Sequence, residues 1–236
     1  VDDFPLWRLV LNEMSPGQST LARRTGGADP IDTFLKRALD FLAVLERLPA
    51  DAGCPAFQRY LSFNEYRVET QRFIDLCLVP HGFATGGLSS IELMLDELCR
   101  NLETHPRALC YRDFMAWNIM IDPQGKLRLL DYQDLLLAST AYDVITLLND
   151  RDTDSALGRE RWLSLAEYAK ERLKGGAGFE QRLLECALQR DLRLAGQFWN
   201  LSQKRGKPEY EKWVPGCLRR IGRSLAGLRR WPGVLE

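Results

Sequence analysis

Apolar positions recur along the chain in two rhythms. At the front, Leu6-Trp7-Arg8-Leu9-Val10-Leu11-Asn12-Glu13-Met14 is dense in strand formers, which predicts an extended segment over 6–14, ended by Ser15-Pro16-Gly17. A helical rhythm starts at Asp29-Pro30, with Asp as cap and Pro at the first helical position. Ile31, Phe34, Leu35, Ala38, Leu42 and Leu45 then share one face. A second helix is predicted over 64–79, carrying Tyr66, Phe73, Ile74 and Cys77 on one side. Ser89 and Glu92 have capping-box spacing ahead of Leu93, Leu95, Leu98 and Leu102. From Thr140 onward the pattern is helical again, over 140–149, 158–173, 179–203 and 209–229.

Between these helical stretches the texture changes. Residues 108–111, 118–121 and 127–130 read as short strands, and Asp122-Pro123-Gln124-Gly125 as the turn joining the last two. This island carries the polar residues of interest. Asp113 and Asn118 lie five apart on a loop between apolar segments, and Asp131 follows a hairpin that folds back toward them. Two carboxylates and an amide oxygen at one point are hard donors, which Mg²⁺ with bound phosphate requires. A carboxylate beside a substrate hydroxyl can also act as general base. Singly, each residue fits an ordinary turn or strand end. Together, D-x-x-x-x-N, an apolar hairpin and then Asp follow the catalytic-loop and metal-loop order of kinases.

Composition and charge act mainly by exclusion. Lys plus Arg number 32 and Asp plus Glu 32, a zero balance unlike that of a chain built to neutralise nucleic-acid phosphates. The six Cys include no C-x-x-C pair and the only His are His81 and His105, which argues against structural zinc. Reduced thiols and a cytoplasmic setting are expected. The most apolar stretch, Leu127 to Leu148, is interrupted by Arg128, Asp131, Asp134 and Asp143, so no membrane span is expected. Gly175-Gly176-Ala177-Gly178 follows a helix and reads as its stop. Arg219, Arg220, Arg223, Arg229 and Arg230 read as the solvated face of a terminal helix. Glu65, Glu69 and Arg72 share a helix at i, i+4 and i+3 spacings, suited to a sugar pocket or to surface ion pairs.

With these motifs in view, the chain resembles the phosphotransferase family that includes aminoglycoside phosphotransferases and choline kinases. The resemblance is carried by Tyr111-Arg112-Asp113 through Asn118, by Asp131-Tyr132-Gln133-Asp134, and by Tyr142-Asp143. The family's first segment usually begins His-x-Asp; here Tyr111 stands at the His position. The resemblance implies an α+β, protein-kinase-like fold. Residues 15–236 would form a mostly helical large lobe around the β-hairpin island. Residues 1–14 would be the last strand and hinge of a small lobe that is otherwise missing. It implies ATP and Mg²⁺ as cofactors, with Asp113 catalytic, Asn118 and Asp131 as metal ligands, and Asp143 bracing the catalytic loop. The backbone of Asn12, Glu13 and Met14 would meet the adenine. Arg112, Asp134, Glu65 and Glu69 are candidates for the substrate pocket.

Leu188 through Phe198, Gly206 through Tyr210 and Trp213-Val214-Pro215 resemble segments of those members that phosphorylate the anomeric hydroxyl of N-acetylmuramate or N-acetylglucosamine in cell-wall recycling. Other acceptors, such as an aminoglycoside, choline or another alcohol, are the alternative, as is a non-catalytic large-lobe module. The expected partners are a small sugar and a nucleotide, with neither nucleic acid nor membrane.

Kinases of this kind grip the phosphates with a Gly-rich loop and a strand Lys. The chain holds no G-x-G-x-x-G and no G-x-x-x-x-G-K-[ST], and its first Lys is Lys36, on a predicted helix. Residues 1–236 alone are therefore expected to bind ATP weakly and transfer little phosphate, with upstream sequence restoring activity. Side-by-side phosphoryl transfer to N-acetylglucosamine and N-acetylmuramate checks this. Equal activity of the short chain would mean that the phosphates are gripped elsewhere.

Overall fold

The computed structural model describes residues 4–5, 30–83, 85–151, 153–173 and 175–231. In chain order the elements are β1 (Phe4–Pro5), α1 (Pro30–Glu46), α2 (Phe63–Phe73), α3 (Thr85–Thr104), β2 (Arg107–Cys110), β3 (Ile119–Ile121), β4 (Leu127–Leu129), β5 (Leu136–Ser139), α4 (Tyr142–Leu148), α5 (Thr153–Arg172), α6 (Phe179–Lys204) and α7 (Val214–Leu228). Two compact units result: Val1–Arg59 with Arg107–Phe179, and Tyr60–Pro106 with Glu180–Glu236. The strand expected over 6–14, and the lobe boundary after residue 14, lie outside the described residues.

The first unit is built on two small antiparallel sheets. β3 is central to one, pairing Phe4↔Ile121 with β1 and Ile119↔Leu129 with β4. Pro5 lacks an N–H and is tolerated because β1 is, among the described residues, an edge strand. The turn between β3 and β4 was legible: the Gly125 N–H donates to the Asp122 carbonyl at 2.8 Å, with Gly125 at φ 76°. Asp122 Oδ1 accepts from the Lys126 and Gln124 N–H groups at 2.7 and 3.0 Å, and Oδ2 from Arg128. The Lys126 N–H is the main reason that this carboxyl is held below its usual range, against the opposing push of burial.

The second sheet pairs β2 with β5, Arg107↔Ser139 through Cys110↔Leu136. β5 was not foreseen. Leu135-Leu136-Leu137-Ala138 is a short apolar run, and such a run does not alternate in a way that separates strand from helix. α1 packs its predicted stripe inward, with Phe34, Leu35, Ala38 and Leu42 buried. Asp40 on α1 accepts from Tyr168 and Arg172 of α5 at 2.9 and 2.6 Å. α5 begins at Thr153, five residues before the expected start, and Gly158 (φ 73°) breaks it where the sequence placed its N-terminus. Every residue of α4 is buried.

The second unit is helical. α2 opens with a capping box, in which the Ser62 N–H donates to Glu65 Oε2 at 2.8 Å and Ser62 Oγ accepts the Glu65 N–H. The box expected at Ser89 does not form, because α3 already starts at Thr85 and Ser89 lies inside it. The expected helix over 64–79 is α2 followed by a π-helical stretch, Ile74–Leu78. The expected helix over 209–229 is a 3₁₀ stretch, Pro208–Trp213, and then α7. Phe198, Tyr210 and Trp213 pack ring to ring at 5.2 to 5.9 Å, which seats that 3₁₀ stretch on α6.

The terminal arginines are not all a solvated face. Arg220 is 1% exposed and donates from Nε to the buried Asp191 at 2.8 Å. Arg230 and His105 both reach the buried Glu185, at 2.6 and 2.7 Å. Removing one partner of such a buried pair costs more than the pair itself contributes. Among the described residues no helix is long and apolar enough to cross a membrane.

α2 and α6 touch backbone to backbone at Gly196, where an added Cβ would lie 2.8 Å from the carbonyl carbon and oxygen of Arg72. Neither atom is the end of a flexible side chain, so Gly196→Ala must push the helices apart. Urea denaturation of Gly196→Ala is expected to show a loss of about 1–3 kcal/mol, the range for overpacking. An unchanged midpoint would mean that the crossing relaxes freely.

Candidate active site

β2 delivers the chain to Tyr111, and β3 takes it up again at Ile119. Between them the side chains divide by burial. Tyr111, Phe114, Ala116 and Ile119 are buried, whereas Arg112, Asp113, Met115, Trp117 and Asn118 are half-buried. Phe114 anchors the loop from below, stacked on Phe41 of α1 at 6.1 Å and edge-on to Tyr111 at 5.6 Å. Full burial of such a ring stabilises by about 1.5–3 kcal/mol. The loop also bonds to itself. The Asp113 carbonyl accepts from the Met115 N–H at 2.8 Å and from Asn118 Nδ2 at 2.9 Å, and the Met115 carbonyl accepts from the Asn118 N–H at 2.9 Å.

Asp143 reaches this loop from the first turn of α4. It is 4% exposed, and its two oxygens accept the N–H groups of Tyr111 at 2.5 Å and Arg112 at 2.9 Å. These bonds fix the backbone just ahead of Asp113. There Arg112 adopts φ 74°, a conformation that costs a non-glycine residue about 1–3 kcal/mol and persists only where its surroundings impose it.

The Asp131 loop is tied to the Asp113 loop through Leu130. The Leu130 N–H donates to the Asn118 carbonyl at 2.9 Å, extending the hairpin pairing by one step. The Leu130 carbonyl accepts the Tyr111 hydroxyl. Asp131 follows at φ 61°, left-handed, which Asp tolerates better than most residues. Arg59 Nη2 then donates to the Gln133 and Leu135 carbonyls at 3.1 and 2.8 Å, holding the 3₁₀ turn Tyr132–Asp134 in which Asp134 lies half-buried.

The electrostatics agree with this convergence. The Tyr111 phenol is pushed up to about 12, first by burial and then by the negative charges of Asp131, Asp143, Tyr132 and Asp113. Three carboxylates therefore act on one phenol.

The donor chemistry suits a hard cation shared with phosphates. The Asp131 carboxylate is exposed and accepts no hydrogen bond from any described residue. Asn118 uses its NH₂ on the Asp113 carbonyl, so its amide oxygen stays available. Among the described residues no group of three or more His, Cys, Asp or Glu could hold a metal. One carboxylate and one amide suit Mg²⁺, which takes few protein ligands and completes its shell with phosphate and water.

Six of the candidate residues, Arg112, Asp113, Asn118, Asp131, Asp134 and Asp143, fall in the first unit. Glu65 and Glu69 fall in the second. There Glu65 closes the α2 capping box, while buried Glu69 accepts from Gln189 at 2.9 Å and Arg193 at 3.4 Å. Asn12, Glu13 and Met14 lie outside the described residues. Sequence reasoning missed Arg59 and Arg151. The Arg151 guanidinium lies 4.5 Å over the Trp117 ring and donates to the buried Asp150 at 2.7 Å, so it clasps the loop from one side. Only the adjacency of Asp150 and Arg151 could have hinted at this.

This fold has counterparts. Residues 2–181 match the phosphotransferase enzyme family, and the chain belongs to that family. It is 31% identical to the N-acetylmuramate/N-acetylglucosamine kinase of Neisseria meningitidis serogroup B, over 96% of this chain and 70% of that one. It is 29% identical to the Pseudomonas aeruginosa protein of the same name, over 83% of this chain. The chain spans 59% of the Pseudomonas aeruginosa relative and 57% of the Pseudomonas putida one. Solved structures share the fold at low identity. A choline/ethanolamine kinase family protein from Mesorhizobium loti has TM-score 0.56 at 14% identity, over 85% of this chain and 64% of that one. An ADP-bound aminoglycoside phosphotransferase has TM-score 0.52 at 17%, over 82% and 64%. The architecture is thus the protein-kinase-like fold of this family.

The Tyr111 hydroxyl bond gives a pH signature. Its folded pKa lies above the ordinary 10, so the unfolded chain releases this proton first as pH rises. Stability from this group is complete below pH 10 and lost as pH approaches about 12. Tyr111→Phe should lose about 0.5–1.5 kcal/mol at neutral pH, for one hydrogen bond, and decline less steeply than the parent above pH 10. Chemical denaturation across that range tests it. Parallel curves would remove Tyr111 from this role.

Proposed function

We propose that the chain is the large-lobe part of an ATP- and Mg²⁺-dependent cytoplasmic kinase that phosphorylates the anomeric hydroxyl of an N-acetylated amino sugar, N-acetylmuramate or N-acetylglucosamine. The observation that carries this reading is the Leu130 link. Its N–H meets the Asn118 carbonyl and its carbonyl meets the Tyr111 hydroxyl, which brings the Asp113 loop to the Asp131 loop. The names of the relatives support the choice of acceptor.

In this reading Asp113 orients the acceptor hydroxyl and takes its proton as the hydroxyl oxygen bonds the γ-phosphorus of ATP and the bond to the bridging oxygen breaks, releasing ADP. Asn118 and Asp131 would hold Mg²⁺, which when bound neutralises charge on the phosphates. Asp143 keeps the backbone ahead of Asp113 fixed, so that the carboxylate does not have to be ordered during reaction. Family resemblance assigns the adenine to the backbone of Asn12, Glu13 and Met14. Arg112 and Asp134 flank the two loops and are candidates for contacts to the sugar.

Asp113→Ala in the complete gene product should cut kcat by about 10²–10⁴-fold, the usual contribution of a positioned base, while nucleotide affinity stays nearly constant. Steady-state assays over a panel of amino sugars, aminoglycosides and choline, with a nucleotide-binding measurement, check both halves. Full turnover by the variant would remove Asp113 from the chemistry, and transfer only to choline or aminoglycosides would replace the acceptor.

A further inference from the structure

The second unit contains a cavity of about 710 Å³ that the proposed chemistry does not use. Three cations line it: Arg72 from α2, and Arg205 and Lys207 from the turn that ends α6. Among the described residues no carboxylate lines it. None of the three cations forms an ion pair with a described residue. In a chain whose formal charges sum to zero, three clustered positive charges without an ion-pair partner among the described residues favour an anion nearby. Two carboxylates close by in the chain, Asp75 and Glu211, have hydrogen-bond partners of their own. Asp75 accepts from Gln71 at 2.9 Å, and Glu211 accepts from Ser202 and Gln203 at 3.1 Å.

The backbone fixes the positions from which these side chains extend. At the end of α6 the Arg205 N–H donates to the Asn200 carbonyl at 3.2 Å, and the Lys207 N–H to the Leu201 carbonyl at 3.0 Å. Gly206 at φ 65° makes this turn possible and folds Lys207 back over the last helical turn. On the other side, the close crossing at Gly196 keeps Arg72 beside Gln197, whose Oε1 accepts from Arg72 Nη1 at 3.4 Å. Gln197 and Asn200 add half-buried amides to the lining, and Leu76 and Leu201 add apolar surface. Planar guanidinium groups suit oxyanions, amides suit hydroxyl and acetamido groups, and the volume is that of a small-molecule site.

We propose that this cavity binds the oxyanion of a small acidic sugar derivative, whether the carboxylate of a sugar acid or the phosphate of a sugar phosphate. Only the choice of amino sugars as probes rests on the function proposed above. The test uses the complete gene product without nucleotide. Calorimetric titrations with N-acetylmuramate, N-acetylglucosamine 1-phosphate and neutral N-acetylglucosamine are compared between the parent and Arg205→Ala/Lys207→Ala. Both substituted residues are exposed, and circular dichroism confirms that the variant is folded.

At least one anionic sugar is expected to bind, to weaken as salt rises, and to lose at least tenfold in affinity in the variant. Neutral N-acetylglucosamine should be unaffected by the substitutions. Loss confined to N-acetylmuramate identifies the carboxylate as the recognised group; loss confined to the 1-phosphate identifies the phosphate. Anionic sugars that fail to bind, or that bind the parent and variant equally, overturn the proposal, as does an equal loss for the neutral sugar. A parent that phosphorylates no amino sugar yet shows variant-sensitive anion binding would overturn the function proposed above and leave this site standing.

Discussion

The carboxylate of Asp143 is the constraint on which the first unit's polar island depends. A buried carboxylate is costly unless its oxygens are met, and here two consecutive N–H groups, of Tyr111 and Arg112, meet them. That geometry holds Arg112 in a left-handed conformation it would otherwise avoid. With Arg112 turned, the side chains of Tyr111 and Phe114 are buried while Asp113 between them stays half-buried. Asp143 itself cannot wander, because all of α4 is buried around it. A packing constraint on one short helix thereby becomes the conformation of a loop more than two dozen residues earlier.

What the sequence made legible was local. Asp122-Pro123-Gln124-Gly125 announced its own turn, and the apolar stripe of α1 announced its buried face. The order of Asp113, Asn118 and Asp131 announced the two loops. What it hid depends on distant partners. Leu136–Ser139 becomes a strand only because Arg107–Cys110 lies alongside, some thirty residues away in the chain. Arg220 looked like part of a solvated tail because its partner, Asp191, is 29 residues distant. Ser89 and Ser62 both carry capping spacing to a Glu, but only Ser62 stands at a helix start, since α3 begins four residues ahead of Ser89. Tyr111 read as a mere departure from His, since its hydroxyl partner, the Leu130 carbonyl, lies 19 residues on.

The second unit meets its buried acids with side chains throughout, where Asp143 is met by backbone. Its buried acids pair with bases or amides: Asp191 with Arg220, Glu185 with His105 and Arg230, and Glu69 with Gln189 and Arg193. Such pairs contribute little net stability beyond an apolar equivalent, but each penalises any packing that separates the partners. They set the helices of this unit in one arrangement, and the 2.8 Å clearance at Gly196 removes the slack from one crossing.

Leu130 offers its N–H to one end of the Asp113 loop and its carbonyl to the other. One peptide segment therefore belongs to both loops. Neither loop can unfold locally without surrendering a bond that the other also uses, so the two form one cooperative opening unit rather than two independent ones. Ordering entropy is then shared. Whatever quiets the backbone at Asp131 has already met part of the cost of quieting Asp113, and the reverse holds equally.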